Sequence, residues 1–385
     1  MTPRMDNRRL LLTGATGIVG CELVRELLRG AEPPEILAVL RGTDAEIEAK
    51  RQWLCAWADV SVERARCLTG IRGDMTRAGL GIADEDLRAA RSVTGILHAG
   101  AVTRFDQTPD AARLNNVEGT SNVLAYARRC PRLERVGILS TAFVAGRRGG
   151  TILEDELDLD ADFNNEYERS KAHAEHQARL VMHELPVDIY RLSIVVGRRT
   201  DGRIARFSGI YPIFRLFYEG LLAMFPGAEG QSVDLIPSDY AAAAIHHLFA
   251  GSGAAGKTYH ICAGADKSFL LDEVFPAIDS CLAATDAAWR GRGQPLPLRV
   301  AVDVFQRFVN IVELTANPRF QQIIRQTRKV TEQLEVPKVY DTRAFAKGMA
   351  GRPALALSHI REWLPQIVAG AMATKWQQPA RQVMT

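Results

Sequence analysis

The chain has 385 residues, nearly half of them apolar, and a formal net charge of only +3. That length exceeds one small domain and suits a large two-part body with a sizeable core, while the near-balanced charge excludes electrostatic binding of nucleic acid as the main task. Six scattered cysteines (Cys21, Cys55, Cys67, Cys130, Cys262, Cys281) form no C-x-x-C pair and eight histidines no H-E-x-x-H, so neither a disulfide framework nor a metal site is expected.

Residues 10–20, LLLTGATGIVG, read as a strand running into a tight glycine turn, and the amphipathic CELVRELLRG that follows reads as a helix. Glycines at 14, 17 and 20 let backbone N–H groups approach a pyrophosphate, and the helix N-terminus adds positive potential. A glycine triplet alone is weak evidence. The strand before it and the helix after it make Thr13, Gly14, Thr16, Gly17, Ile18 and Gly20 the candidates for holding a dinucleotide. The basic start meets an apolar run broken at Gly14, so no signal peptide is read. Nowhere do eighteen apolar residues follow one another, so no transmembrane span is expected. A cytoplasmic location is expected, with peripheral contact to a membrane surface left open.

The second strand is Ile36–Leu40, after Pro33–Pro34, and it ends at Arg41. In a doubly wound sheet this strand end faces the adenosine ribose. An acid there would favour NAD; Arg41 pairs instead with a 2′-phosphate through its planar fork, so the expected cofactor is NADPH. Residues 44–66 have helical period, with Trp53, Leu54 and Trp57 on one face. Ile71–Met75 reads as a short strand and turn. The strand Val93–Ala99 leads into Ala99, Gly100 and Ala101, small enough for the chain to pass close under a flat cofactor; His98 is expected to be buried and structural. Asn115–Thr120 reads as the opening of a helix. Arg135–Ser140 is a further strand, and Thr141 follows it at the carboxyl end of the sheet, where ligands bind in this architecture. The stretch VAGRRGG beyond it reads as a short loop.

Tyr167 and Lys171 stand at i, i+4, phenol and ammonium on one helix face. A free phenol titrates near pH ~10. A neighbouring cation is expected to lower that value, and a tyrosine so tuned gives a proton to a carbonyl oxygen as hydride arrives. Val233–Tyr240 reads as a strand, a proline turn and a helix capped by Ser238 or Asp239, and Lys257–Cys262 as the last core strand. Ile210, Ile213, Phe214, Phe217, Tyr218, Leu221, Leu222 and Phe225 recur at helical spacing, which makes them either core packing or the wall for a hydrophobic acyl chain. Residues 266–385 read as a helical tail packed on the core, with one stripe at Val304, Phe305, Phe308, Val309 and Val312 and another at Leu357, Ile360, Trp363, Leu364 and Ile367. Arg319, Arg325, Arg328, Lys329 and Lys338 are its basic cluster, either a solvated face or a meeting point for the phosphates of coenzyme A or an acidic carrier protein. His246–His247 reads as packing or surface.

The turn T-G-A-T-G-x-x-G resembles the extended branch of the short-chain dehydrogenase/reductase superfamily. F-x-N-x-Y-E-x-S-K at 163–171 and R-x-S-I-V-x-G at 191–197 narrow the resemblance to thioester reductase domains of carboxylic acid reductases and nonribosomal peptide synthetases, and to fatty acyl-CoA reductases. It covers roughly residues 9–265. It implies an α/β fold: a Rossmann-type doubly wound parallel sheet in residues 1–200, with a returning segment at 230–265, and a mostly helical substrate-binding part in 201–385. It implies Thr141, Tyr167 and Lys171 as catalytic residues. Tyr167 and Lys171 also lie at the nicotinamide ribose, Asp74 and Met75 at the adenine, and Asn116 at the backbone across the sheet. The implied reaction is NADPH-dependent reduction of an acyl thioester, on coenzyme A or an acyl carrier protein, to an aldehyde or on to an alcohol. Two other readings are a nucleotide-sugar epimerase or dehydratase and a non-catalytic NADP-sensing scaffold. Arg41, the motif and the aromatic run argue against the first, and the intact Thr141, Tyr167 and Lys171 against the second.

Overall fold

The computed structural model describes residues 8–376 apart from positions 316, 319–320, 322–323, 325–327 and 329–330. Seven parallel strands form the central sheet: β1 (Arg9–Thr13), β2 (Glu35–Leu40), β3 (Leu68–Arg72), β4 (Gly95–His98), β5 (Arg135–Thr141), β6 (Val187–Leu192) and β7 (Thr258–Ile261). They lie side by side in the order 3-2-1-4-5-6-7. The strand order reverses between β1 and β4, which opens a crevice at their carboxyl ends. The principal helices are α1 (Ile18–Arg29), α2 (Asp44–Ala58), α3 (Gly119–Ala127), α4 (Glu166–Leu180), α5 (Tyr211–Tyr218), α6 (Ser238–Ala250), α7 (Leu271–Thr285), α8 (Val302–Thr315) and α9 (Ile360–Ala373).

The side-chain alternation of a strand builds both faces of the core. Leu10 and Leu12 point to the face covered by α1, α2 and α6, whereas Leu11 points to the face covered by α3 and the end of α4. The first of these cores runs on without a break into residues beyond 200, through Tyr211, Phe214, Phe275, Trp289, Trp363 and Ile367. Apolar contact therefore joins the C-terminal part to the sheet, and short strands tie it further. Residues 194–196 pair with 235–237, 224–226 with 298–300, and 150–152 with 338–340, all parallel.

Several expectations change on this frame. The aromatic run is a helix only over Tyr211–Tyr218. Phe217 is fully buried, its ring 5.4 Å from those of both Phe275 and Trp289. The apolar face is therefore core and walls no open groove, because α7 and the turn after it already cover it; Leu221, beyond the helix end, is exposed. In the tail, α8 buries Phe305, Val309 and Val312 and turns Val304 outward, while Ile360, Trp363, Leu364 and Ile367 of α9 are all buried. Of the basic cluster, Arg319, Arg325 and Lys329 lie outside the described residues. Arg328 pairs with Glu332 at 3.3 Å, and Lys338 is buried and donates to the Gly146 carbonyl at 2.5 Å. The loop after Thr141 is thus held by the tail instead of standing alone. Neither Ser238 nor Asp239 caps α6; the Asp239 carboxylate accepts from the Arg199 backbone N–H at 3.0 Å and from its Nε at 3.2 Å. Among the described residues, no helix is long and apolar enough to cross a membrane.

Candidate active site

The glycine turn is built against the end of β4. Gly14 has φ +71°, and a Cβ there would stand 2.4 Å from the Gly100 nitrogen and 2.5 Å from the Ala99 oxygen. At Gly20 a Cβ would stand 2.0 Å from the Gly14 oxygen. Packing inside the chain accounts for both. Gly17 differs, since its Cβ would meet only the Gly14 oxygen at 3.2 Å, so the bare backbone there suits close approach by something outside the chain. α1 starts at Gly17 with no side-chain cap and no acid in its first turn, which leaves its leading N–H groups and its dipole for an anion. A pyrophosphate fits this cradle. Thr16 and Ile18 stand half-buried beside it. Thr13 is turned inward: its hydroxyl lies 2.7 Å from His98 Nδ1 and accepts from the Gly100 N–H at 3.3 Å.

Arg41 is exposed just beyond β2. The Asp74 carboxylate accepts from the Thr76 N–H at 2.9 Å and the Thr76 hydroxyl at 2.8 Å, so one of its oxygens is spent on its own turn. Met75 explains Gly100 from the other side, because a Cβ on Gly100 would stand 2.6 Å from Met75 Sδ. Ala99 donates its N–H to the Thr13 carbonyl at 3.1 Å, and Ala101 follows half-buried at the crevice.

Asn116 does not open a helix. The helical run begins at Pro109 and passes through a wide π turn over 113–118 before α3. Such turns commonly mark functional positions. Asn116 is buried; its Oδ1 accepts from the Val102 N–H at 2.9 Å, and its Nδ2 donates to the Val102 carbonyl at 3.1 Å and to Ser170 Oγ at 2.9 Å.

The motif F-x-N-x-Y-E-x-S-K is mostly a device for starting α4. The Asn165 side chain accepts from the Glu168 N–H at 3.1 Å, and Glu168 reaches back to accept from the Asn164 N–H at 2.9 Å. The two together form a cap of the reciprocal kind and leave Tyr167 in the first turn. Thr141 ends β5, and its hydroxyl hydrogen-bonds Tyr167 and accepts from the Phe143 N–H at 3.2 Å. The Tyr167 ring lies 5.8 Å from that of Phe105. Lys171 is buried and donates to the Leu139 carbonyl at 2.7 Å.

The electrostatics correct one expectation. Burial pushes the Tyr167 phenol up to about 12, with Glu168 adding to the rise and the Thr141 hydrogen bond opposing it. Burial lowers the Lys171 ammonium to about 8, against an opposing pull from Glu175. Desolvation therefore sets the direction, and the Lys171 ammonium expected to lower the phenol is directed at the Leu139 carbonyl. Tyr167 stays protonated at neutral pH, the state a proton donor needs.

Sequence reasoning missed the buried brace beneath this site. Arg191 is 0 % exposed; its guanidinium donates to Glu175 at 2.7 and 3.0 Å and to His260 Nε2 at 3.0 Å. Ser140 donates to the same Glu175 at 2.9 Å, one turn along α4 from Lys171. The signal was in hand, because Arg191 opens R-x-S-I-V-x-G. A buried arginine needs a carboxylate, but a sequence does not say which.

A doubly wound parallel sheet with a glycine turn and an uncapped helix at its crevice defines a dinucleotide-binding protein of Rossmann type. The profile of the NAD-binding family described as male sterility protein matches residues 12–245, and the chain belongs to that family. It is 24% identical over 362 residues to nonribosomal peptide synthetase FrzA of Cladobotryum sp, covering 90% of this chain and 34% of that protein. It is 27% identical over 269 residues to fatty acyl-CoA reductase wat of Drosophila melanogaster, covering 60% of this chain and 52% of the relative. The terminal R domain from the myxalamid PKS-NRPS biosynthetic pathway shares the fold, with a TM-score of 0.79, 23% identity and coverage of 97% and 93% of the two chains. This chain spans about half the length of the fatty acyl-CoA reductase and about a third of the peptide synthetase FrzA.

Proposed function

We propose that this protein reduces an acyl thioester, carried by coenzyme A or an acyl carrier protein in the cytoplasm, to an aldehyde and a free thiol, with NADPH as reductant. The observation that carries the reading is the grouping of Thr141, Tyr167 and Lys171 at the carboxyl end of β5, on the crevice that the glycine turn opens onto. The backbone at Gly17 and the start of α1 would hold the pyrophosphate, Arg41 the 2′-phosphate, Asp74 and Met75 the adenine side, and Ala99–Ala101 the underside of the cofactor. A bound NADPH supplies the hydride. Thr141 and Tyr167 would stabilise the oxyanion that forms on the thioester carbonyl. Tyr167, protonated and hydrogen-bonded to Thr141, gives its proton to that oxygen. Lys171 orients the ribose and keeps positive charge under the site. Support from the comparisons lies in the names of the two curated relatives, a nonribosomal peptide synthetase and a fatty acyl-CoA reductase. The acyl chain does not lie along α5, whose aromatic face is core.

The test mixes the protein and NADPH with octanoyl-CoA and, separately, with an octanoyl carrier protein, and follows NADPH absorbance with trapping of the aldehyde. NADPH loss matched by aldehyde or alcohol supports the reading. A protein that binds NADPH and consumes none with either thioester overturns it.

A further inference from the structure

Thr13 and His98 are partners in register on the adjacent strands β1 and β4, so their side chains rise from the same face of the sheet, the one α3 covers. His98 is 1% exposed, and both of its ring nitrogens are engaged: Nδ1 lies 2.7 Å from Thr13 Oγ1 and Nε2 3.0 Å from Thr120 Oγ1. The proton positions follow from the outer partners. The Thr120 hydroxyl donates to the Asn116 carbonyl at 2.7 Å. A hydroxyl has one proton, so Thr120 Oγ1 accepts from His98, and Nε2 carries the ring hydrogen. Nδ1 is then the acceptor and Thr13 donates to it. Thr13 Oγ1 in turn accepts from the Gly100 N–H at 3.3 Å. Every member points the same way, from the Gly100 N–H through Thr13, His98 and Thr120 to the Asn116 carbonyl. Asn116 itself clamps both polar groups of Val102 and donates to Ser170, which bonds back to the Tyr167 carbonyl at 3.0 Å.

We propose that His98 is a positioning residue that couples the glycine turn to Asn116 and, through Ser170, to the helix carrying Tyr167, so that the cofactor cradle and the proton donor are set together. The proposal rests on the reading of that turn as the dinucleotide site and of Tyr167 as the donor. Its two ends are the features the site needs fixed. One is the Gly14–Gly100 contact under the cofactor; the other is the π turn that brings Asn116 to α4. Burial, with Lys171 adding to it, lowers the imidazole to about 3. The ring therefore stays neutral and keeps one tautomer, which a directional chain requires. Isosteric packing alone would give neither the direction nor the single tautomer.

The test is a cycle on a residue remote from the turn. Thr120→Val removes one hydroxyl at nearly constant volume, and its hydrogen-bonded route to the glycine turn runs through His98. Dissociation constants for NADPH and NADH, read by fluorescence titration, are compared for Thr120→Val in the wild-type and His98→Leu backgrounds. The expected result is a three- to tenfold loss of affinity for both dinucleotides in the wild-type background and no further loss in His98→Leu. Equal loss in the two backgrounds, or affinities unchanged within twofold in the wild-type background, overturns the coupling. A merely structural histidine would lower the melting temperature without moving that ratio. Where His98→Leu does not fold, Thr13→Val serves as the second background, since it cuts the chain at the next link; the Thr120→Val loss should vanish there, and an undiminished loss overturns the proposal. Binding of NADH with no preference for NADPH would fail the Arg41 reading, and absence of turnover the thioester reading; the cycle reads the coupling in either case.

Discussion

α4 and α5 drew attention in the sequence for the same reason, side chains spaced three or four apart, and the fold uses them in opposite ways. In α4 the spacing brings a phenol and an ammonium beneath the end of β5, each with a named polar partner. In α5 it brings Tyr211, Phe214 and Phe217 into the core against α7 and Trp289. Periodicity tells which side of a helix is covered and nothing of what covers it. Polar residues on a covered side carry more information, because each must find a partner.

The strongest way to break this contrast is Tyr167→Phe. It removes the proposed donor with little volume change, so folding and NADPH binding should persist while turnover drops by roughly 10²–10⁴. A variant with near-wild-type turnover would make α4 as structural as α5. Phe217→Ala is the matching change on the other helix. It should cost about 3–5 kcal/mol of stability, the usual range for a buried phenylalanine, and affect long and short acyl thioesters alike; urea unfolding and a chain-length series check both halves. A selective rise in KM for long chains, with stability kept, would restore α5 as a substrate wall.

A smaller effect is expected at Arg41→Ala. Loss of a charged hydrogen-bonded pair should weaken NADPH by roughly 1.5–3 kcal/mol and leave NADH nearly unchanged. Equal losses for both would remove the basis for a 2′-phosphate contact.

The pH response sharpens the contrast further, because one residue should drive activity and stability in opposite directions. Lys171 is lowered to about 8 in the fold. Above that value and up to the ordinary lysine value of 10.5, the unfolded chain holds a proton that the folded chain has lost. The contribution of this group to stability therefore rises with pH through that window, and its burial cost is complete below it. Turnover that needs the ammonium should fall about twofold by pH 8, as a group titrating there requires. Rate and melting profiles of the wild type against Lys171→Arg, which keeps its charge, measure the two trends. The smallest effect is expected at Val304→Ser on the outward face of α8, within about 0.5 kcal/mol of wild type; a larger loss would mean that face is covered.

Much of the frame was legible. Five of the seven strands, the glycine turn and the placing of Tyr167 and Lys171 on one helix rest on local signals, namely apolar runs, turn chemistry and i, i+4 spacing. β3 lies at Leu68–Arg72, ahead of the expected Ile71–Met75, and β6 at Val187–Leu192 mostly precedes the R-x-S-I-V-x-G stretch. Asn116 was visible by resemblance, but its setting in a π turn was not, since no residue pattern marks the extra residue. The phenol shift went the other way from expectation because burial is a tertiary quantity; spacing alone cannot weigh it against a nearby charge. Lys338 was assigned to a surface cluster because a lysine in a polar stretch is usually exposed. Its carbonyl partner at Gly146 is 192 residues away, beyond any local pattern.

That last contact has a consequence for how the protein is made. At the usual pace of about 5–20 residues per second, the 192 positions between Gly146 and Lys338 represent roughly 10–40 s of translation. The loop that follows Thr141 leaves the ribosome well before its parallel partner at 338–340 exists. The whole sheet, β1 to β7, has been synthesised before that partner appears. The nascent chain therefore passes through a period in which every strand of the sheet exists while the segment that braces the loop beside Thr141 does not. A transcript that ends early, or a stall between the two segments, leaves that loop without its brace and leaves the sheet's first core without Trp363 and Ile367.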